Sequence, residues 1–268
     1  MKYKAIALDL DGTLTNSEKK VSEKNKETIW KAIDKGVTVI LASGRPLFGV
    51  KPVADELKLQ EKGGYMLACN GGCIIDCKTG NQVYSDMLPK QLYNEVFDIA
   101  REHGLSALTY YGDKVISENV NDKYVAEEAR CNGAQTMQVD NLNSFVDYEV
   151  PKILIVGEHE KLVPIQKILL DKHSDIINSF FSEGYFLEVV PKTVAKDKSL
   201  ERLLEILDIK KEELVACGDG LNDVSMIKFA GLGVAMQNAN PDVKKYAEYI
   251  APTNDNDGVS DVLLKYFL

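Results

Sequence analysis

The segment Asp9-Leu10-Asp11-Gly12-Thr13-Leu14 places two carboxylates and a glycine next to each other. It follows the apolar run Ala5-Ile6-Ala7-Leu8, which has the length and composition of a buried strand. Two carboxylates therefore stand where a strand ends, and a turn glycine comes next. Ligands of an open parallel sheet bind just outside the carboxyl ends of its strands. The stretch predicts an acidic site at a strand end of an α/β sheet, although an ordinary Asp-Gly turn would also explain it.

The two acids of this stretch point to a cation. Asp9 and Asp11 are two residues apart, so on an extended segment their side chains lie on the same side. Like charges this close are unfavourable unless a cation sits between them. Oxygen-only ligands suit Mg²⁺, so the pair is a candidate magnesium site that becomes specific only with the later segments of the chain.

Composition restricts the classes of partner. The chain has 268 residues, which is enough for one large or two modest domains. Its net charge of -9 argues against nucleic acid or an anionic membrane as the main partner. No apolar run is long enough to span a bilayer, and the first residues show no secretory signal. Five cysteines without a framework pattern favour a reducing compartment, so we expect a cytoplasmic protein.

A second strand end carries polar groups. Ser22 can cap a helix that runs to about Lys35, and the apolar run at 37–42 then predicts a strand that ends in Ser43-Gly44-Arg45-Pro46. A strand–helix–strand unit of this size implies a parallel pair with a right-handed crossover. Ser43 then falls at the same sheet edge as Asp9. A hydroxyl and free N–H groups at a helix start form an anion site, although a simple helix cap explains Ser43 equally well.

Two further strands end in the same way. The strand Tyr65-Met66-Leu67-Ala68 ends at Asn70-Gly71-Gly72. The strand Leu214-Val215-Ala216-Cys217 runs into Gly218-Asp219-Gly220-Leu221-Asn222-Asp223, where acids again stand at a strand end among glycines. Asn70 and Gly71 are candidate substrate contacts, but a plain turn accounts for them as well.

The pattern changes near Asp86. Helices and short strands then alternate as in a mixed α+β module of roughly 100 residues, a normal domain size. Strand–turn–helix order returns after Pro191, where Lys196-Asp197 opens a helix predicted at 198–207 with Asp197 as its N-cap.

Four of these segments resemble, in order and context, the motifs of haloacid dehalogenase-like phosphatases. They are Asp9-Leu10-Asp11-Gly12-Thr13, Ser43-Gly44-Arg45, Lys196 and Gly218-Asp219-Gly220-Leu221-Asn222-Asp223. The whole chain resembles the Cof-type sugar-phosphatase branch. The resemblance implies an α/β fold with a Rossmann-like parallel-sheet core and an inserted α+β cap. Only one helix and one strand fit between the first two motifs, whereas the interval between the second and third motifs is long enough for an inserted domain. We therefore place the core at 1–85 and 189–268 and the cap at 86–188.

The resemblance also implies roles for the motif residues. Asp9 would be the nucleophile that forms an aspartyl-phosphate, and Asp11 the acid/base that protonates the leaving alcohol and later activates water. The implied Mg²⁺ ligands are the side chains of Asp9 and Asp219, the backbone carbonyl of Asp11, and Asp223 either directly or through water. The residues implied to hold the phosphoryl oxygens are Ser43, the backbone of Gly44, Lys196 and Asn222. The candidate substrate contacts are Arg45, Asn70 and Gly71.

One departure concerns the third motif. Many family members have Lys-Gly there, whereas this chain has Lys196-Asp197, and Lys192 and Lys198 lie close enough in sequence to compete for the role. The function expected is a Mg²⁺-dependent phosphatase of small phosphorylated metabolites, chiefly sugar phosphates. The alternatives are a phosphomutase of the same superfamily and a non-catalytic phosphate-ligand binding protein.

Overall fold

The structure is a computed structural model that describes residues 2–268. The chain divides into two compact units, one formed by residues 2–84 with Ala195–Leu268 and the other by Ser85–Val194. The strands are β1 Ala5–Leu8, β2 Thr38–Ala42, β3 Tyr65–Ala68, β4 Cys73–Asp76, β5 Gln82–Ser85, β6 Ser106–Tyr111, β7 Lys114–Ser117, β8 Gln135–Gln138, β9 Ile153–Val156, β10 Ile177–Glu183, β11 Phe186–Pro191, β12 Leu214–Gly218, β13 Leu232–Met236 and β14 Tyr249–Ala251.

The helices lie between these strands and after the last of them. They are α1 Glu23–Asp34, α2 Leu47–Glu56, α3 Leu59–Lys62, α4 Tyr93–Glu102, α5 Lys123–Cys131, α6 Leu142–Phe145, α7 His159–His173, α8 Lys196–Ile206, α9 Val224–Phe229, α10 Pro241–Lys244 and α11 Gly258–Tyr266. No helix within residues 2–268 is both long and apolar enough to cross a membrane.

The first unit is built on an eight-stranded sheet in the order β14-β13-β12-β1-β2-β3-β4-β5. The pairs from β14 to β3 are parallel, and β3 pairs antiparallel with β4. Strand β1 is buried along its whole length and alternates between two cores: Ile6 and Leu8 pack on one face, Ala5 and Ala7 on the other. Burial on both faces explains why this strand is a continuous apolar run.

Helices cover both faces of this sheet. Residues of α1 and α11 belong to the core on one face, and residues of α8 belong to the core on the other. This is the doubly wound α/β arrangement, in which ligands bind at the carboxyl ends of the strands. Strands β12, β1, β2 and β3 are consecutive in the sheet, so their carboxyl ends lie side by side at one edge.

The second unit contains a six-stranded sheet in the order β10-β11-β9-β6-β7-β8. Its pairs are antiparallel except for β7 with β8. Helices α4 and α7 contribute to the core on one face. The unit ends at Val194, not at residue 188 as the sequence predicts, because β11 pairs with both β9 and β10 and so belongs to this sheet.

Candidate active site

The strand ends bring the motif residues together. Asp9 follows β1, Ser43 follows β2, Asn70 lies just after β3, and Asp219 follows β12. Backbone hydrogen bonds continue the parallel ladder into this region, from the Asp9 N–H to the Cys217 carbonyl at 3.0 Å and from the Ser43 N–H to the Leu67 carbonyl at 2.9 Å. The loops after four neighbouring strands therefore start from a rigid edge.

Three carboxylates form an acidic cluster there: Asp9, Asp219 and Asp223. One oxygen of each lies within 4.8 Å of the others. Asp9 is 7% exposed and Asp223 is 1% exposed. Burial raises the pKa of Asp9 well above its usual value, and the carboxylates of Asp223 and Asp219 raise it further against the opposing effect of Lys196. Burial likewise raises the pKa of Asp219 to about 6.

This donor set fits a hard divalent cation. Three oxygen donors converge, two of them with pKa values raised by burial and like charge, and such groups gain most from a cation placed between them. Magnesium is typically held by a few carboxylates and completes its shell with water and substrate oxygens.

Lys196 is the lysine that the fold places in this cluster. Its Nζ donates to Asp9 Oδ1 at 2.7 Å and to Asp223 Oδ1 at 2.6 Å. The side chain is buried, which alone would lower the pKa of Lys196, but Asp223 and Asp9 outweigh that and raise it, so the ammonium stays charged. The competing lysines lie elsewhere, since Lys192 donates to the Ser174 carbonyl and Lys198 pairs with Glu201.

Asp223 also shapes the loop after β12. Its Oδ2 accepts the backbone N–H groups of Asp219 at 3.0 Å and Gly220 at 2.9 Å. The hydroxyl of Thr13 donates to Asp219 Oδ1 at 2.8 Å, which joins this loop to the loop after β1. These contacts fix the orientation of the Asp219 carboxylate before any ligand arrives.

The carboxylate of Asp11 is not part of the acidic cluster. Its carboxylate accepts two hydrogen bonds from Arg45, at 2.7 Å from Nε and 2.6 Å from Nη2, and one from Lys19 Nζ at 2.7 Å. The same-side expectation assumed an extended chain, but β1 ends at Leu8 and Gly12 turns with a φ of 79°. Burial raises the pKa of Asp11, but the bonds from Arg45 and Lys19 lower it by more.

The residues predicted to hold the phosphoryl oxygens lie on adjoining loops. Ser43 is buried, and its Oγ accepts the Arg45 N–H at 3.2 Å. Asn222 stands on the 3-10 turn Leu221–Asp223, and its Nδ2 donates to Asn70 Oδ1 at 3.2 Å. Arg45 was predicted to contact substrate, and in this structure its guanidinium binds Asp11.

Two local expectations differ from the structure. Helix α8 begins at Lys196 with Ala195 as its N-cap, so Asp197 is not the cap but a first-turn acid, where it favours the helix dipole. The sequence also assigned no role to Lys19. It lies in a turn whose Asn16 Oδ1 accepts the N–H groups of Glu18 and Lys20, and this turn brings Lys19 to Asp11. A turn is readable from Asn16, but its contact with Asp11 is not.

Known proteins resemble this chain over nearly its whole length. A family model described as haloacid dehalogenase-like hydrolase matches residues 6–263. A 5-amino-6-(5-phospho-D-ribitylamino)uracil phosphatase of Bacillus subtilis is 32% identical and aligns over 99% of this chain and 96% of its own length.

Solved structures give the same result. A haloacid dehalogenase-like hydrolase from Bacteroides thetaiotaomicron superposes with a TM-score of 0.94 at 45% identity, covering 99% of this chain and 100% of that one. A Thermotoga maritima structure superposes with a TM-score of 0.85 at 30% identity, covering 98% of this chain and 97% of that one.

The chain therefore belongs to the haloacid dehalogenase-like hydrolases, in their Cof-type branch. Within that family it is a phosphatase.

Proposed function

We propose that this protein is a Mg²⁺-dependent phosphatase that hydrolyses small phosphorylated metabolites, chiefly sugar and sugar-alcohol phosphates, through an aspartyl-phosphate on Asp9. The observation that carries the proposal is the buried Asp9 carboxylate, held by Lys196 beside Asp219 and Asp223. The Bacillus subtilis relative supports the substrate class, since the substrate in its name carries its phosphate on a D-ribityl chain. We also propose a cytoplasmic setting, because five cysteines without a framework pattern favour a reducing compartment.

In this proposal the Mg²⁺ would be held by the side chains of Asp9 and Asp219, the backbone carbonyl of Asp11, and Asp223 directly or through water. Bound there, it supplies positive charge that lowers the repulsion between a carboxylate nucleophile and a phosphate dianion. Lys196 adds a fixed positive charge at the same place, because its Nζ contacts both Asp9 and Asp223.

The reaction divides into two transfers. A carboxylate oxygen of Asp9 forms a bond to phosphorus while the bond from phosphorus to the leaving oxygen breaks, and Asp11 gives that oxygen a proton. Water then attacks phosphorus, Asp11 takes its proton, and the bond to Asp9 breaks to release inorganic phosphate. Ser43, the Gly44 N–H, Lys196 and Asn222 hold the phosphoryl oxygens in both transfers.

The contacts of Asp11 set a condition on the first transfer. Arg45 and Lys19 lower the pKa of Asp11 and so favour its carboxylate form, which cannot donate a proton. Asp11 therefore has to give up at least part of this ion pairing when it acts as the acid. We propose that the Arg45 guanidinium then contacts an anionic substrate, in line with its predicted role as a substrate contact.

We also propose that the unit Ser85–Val194 acts as a cap that selects the alcohol part of the substrate. Its insertion between the second and third motifs supports this role. The phosphate itself is common to all substrates, and its candidate ligands all lie in the other unit.

The nucleophile can be tested directly. Asp9→Asn should keep the fold and lower kcat at least about 10³-fold, because it removes the covalent route. Acid quenching of the wild type during turnover should leave phosphate on Asp9. The Asp171→Asn variant, a matched change on the exposed face of α7, should keep full activity. Phosphate on another residue, or an isomerised product instead of released phosphate, would contradict the proposal.

The metal can be tested by removal. Activity should vanish in a chelator and return with Mg²⁺, whereas Ca²⁺ should substitute poorly because it prefers looser and higher coordination. Full activity in the chelator would rule out the metal dependence.

A further inference from the structure

The loop after β3 has a strained backbone. Cys69, Asn70 and Gly71 have φ values of 52°, 56° and 101°, three consecutive residues in the left-handed region. Residues with a side chain rarely adopt this conformation, and Asn is among the few that tolerate it. Such strain persists only where the surroundings impose it, and it clusters at functional sites.

Backbone contacts connect this loop to two motif segments. The Asn70 N–H donates to the Ser43 carbonyl at 2.9 Å, and the Cys69 N–H donates to the Arg45 carbonyl at 2.8 Å. On the other side, the Ser199 hydroxyl of α8 donates to the Gly71 carbonyl at 2.9 Å. A Cβ at Gly71 would lie 2.1 Å from that hydroxyl oxygen, so the helix that begins with Lys196 packs directly on this loop.

The Asn70 side chain reaches the fourth motif, which contains Asn222. It is 3% exposed, and its Oδ1 accepts a hydrogen bond from Asn222 Nδ2 at 3.2 Å. The same amide lies against Gly44, where an added Cβ would come within 3.2 Å of Asn70 Nδ2. Asn70 therefore contacts Asn222 and Gly44, which are two of the groups proposed to bind the phosphoryl oxygens.

This hydrogen bond restricts the orientation of the Asn222 amide. A primary amide offers two N–H donors on one end and a carbonyl acceptor on the other. Because Asn70 Oδ1 is the acceptor, the Asn222 amide is oriented with its nitrogen toward Asn70, and the second N–H of that nitrogen remains for another partner. If Asn222 were reversed, its carbonyl oxygen would face a phosphoryl oxygen, and the two would repel.

We propose that Asn70 is a positioning residue: it sets the orientation of the Asn222 amide and holds the Gly44 backbone in place for binding the phosphoryl group. This inference rests on the proposed function, because it assigns the phosphoryl group to Asn222 and Gly44. The strained backbone is what brings the Asn70 side chain to both.

Four variants of the full-length protein test this. Asn70→Gly removes the amide but accepts the left-handed backbone. Asp208→Gly is the matched control, because Asp208 has a φ of 53° and is exposed at the end of α8. Asn222→Ala and the double variant Asn70→Gly/Asn222→Ala complete a cycle that measures coupling between the two asparagines.

Each protein is assayed for hydrolysis of p-nitrophenyl phosphate and for binding of inorganic phosphate by calorimetry with Mg²⁺ present, and its melting temperature is recorded. Asn70→Gly and Asn222→Ala should each lower kcat/KM and phosphate affinity about 10- to 100-fold, since each loses an oriented bond to a charged group. The double variant should lose little more than the worse single variant. Asp208→Gly should match the wild type in both assays.

Several results would overturn the inference. Wild-type activity and phosphate affinity in Asn70→Gly would show that the amide positions nothing. Losses that multiply in the double variant would show that Asn70 does not act through Asn222. A wild type that binds phosphate without turnover would refute the proposed function alone, and the binding series would then decide the role of Asn70. A wild type that neither binds nor hydrolyses phosphate would overturn both.

Discussion

At the scale of single residues, Gly12 occupies a position beside the acidic cluster where a side chain does not fit. It has a φ of 79°, and a Cβ there would lie 2.3 Å from Asp219 Oδ2. Glycine is needed both for the turn that follows the first strand and for the close approach of a candidate metal ligand. A methyl group at this position would have to displace the Asp219 carboxylate.

Gly12→Ala should therefore lower kcat/KM at least about 10²-fold, since small displacements of a reacting site have effects of that size. Gly36→Ala is the control, because Gly36 has a φ of 89° and no atom within 4 Å of an added Cβ. Both variants should lose about 1 kcal/mol or more of folding free energy from the positive φ. Steady-state kinetics and urea unfolding measure the two effects. Equal activity losses in the two variants would mean that strain, and not Asp219, is responsible.

The residue scale also shows which parts of the site the sequence could predict. Asp9 and Asp219 come directly after apolar strands in the chain, so their position at the sheet edge can be predicted from the local sequence pattern. The carboxylate of Asp11 is different, because its direction depends on Arg45 and Lys19, which reach it from separate loops. Local sequence gives the position of a residue, whereas the direction of its side chain depends on partners that are distant in the chain.

At the scale of elements, the apolar strand β1 and the capped helix α1 were predictable from local pattern, whereas the polar edge strand β8 was not. The run Ala5–Leu8 predicts β1 correctly, and Ser22 caps α1, where its Oγ accepts the Asn25 N–H. The sequence analysis did not identify β8, Gln135–Gln138, because its residues are mostly exposed and polar. Its strand character comes from pairing in parallel with β7, which no local pattern reveals.

A buried ion pair connects β11 of the second unit with the segment just before β9. Lys152, just before β9, lies with its Nζ 3.2 Å from Glu188 Oε2 on β11, and each side chain is 3% exposed. Removing one partner of a buried pair leaves the other charge without compensation, whereas replacing both by apolar groups is often neutral.

Lys152→Met should therefore lower the free energy of unfolding by about 3–5 kcal/mol, and Lys152→Met/Glu188→Leu should recover most of that loss. Urea unfolding followed by circular dichroism gives both values. Lys167→Met breaks a solvent-exposed pair with Asp171 on α7 and should leave the unfolding midpoint unchanged. If the double variant were as unstable as the single one, packing around Lys152 would be the cause and not its charge.

At the scale of the whole molecule, the two units carry different parts of the proposed reaction. The acidic cluster, Lys196 and Asn222 belong to the unit formed by residues 2–84 and Ala195–Leu268. A phosphoryl group is the same in every substrate, so these residues cannot distinguish one phosphate ester from another. Other residues then have to distinguish the alcohol parts of different phosphate esters, and we propose that these residues lie in the inserted unit.

Variants in the two units should differ in how they change the substrate preference of the enzyme. Asn222→Ala should lower kcat/KM by a similar factor for all phosphate esters. Substitutions at two places in the inserted unit should instead reorder the preference among sugar and sugar-alcohol phosphates, by about 1–3 kcal/mol per lost contact. The first is Asp113→Ala, in the exposed hairpin turn between β6 and β7. The second is Tyr185→Ala, in the turn between β10 and β11, where the ring stacks on Tyr124 at 4.9 Å.

The comparison needs kcat/KM values for several phosphorylated sugars and polyols. The melting temperature of each variant is recorded as well. Lys167→Ala, on the exposed surface of α7 in the same unit, is the control and should leave every substrate unchanged. A uniform loss across the panel in Asp113→Ala and Tyr185→Ala would mean that these residues affect the shared phosphoryl step. A reordered panel in Asn222→Ala would place discrimination in the unit that holds the phosphate, and the division of labour proposed here would then be wrong.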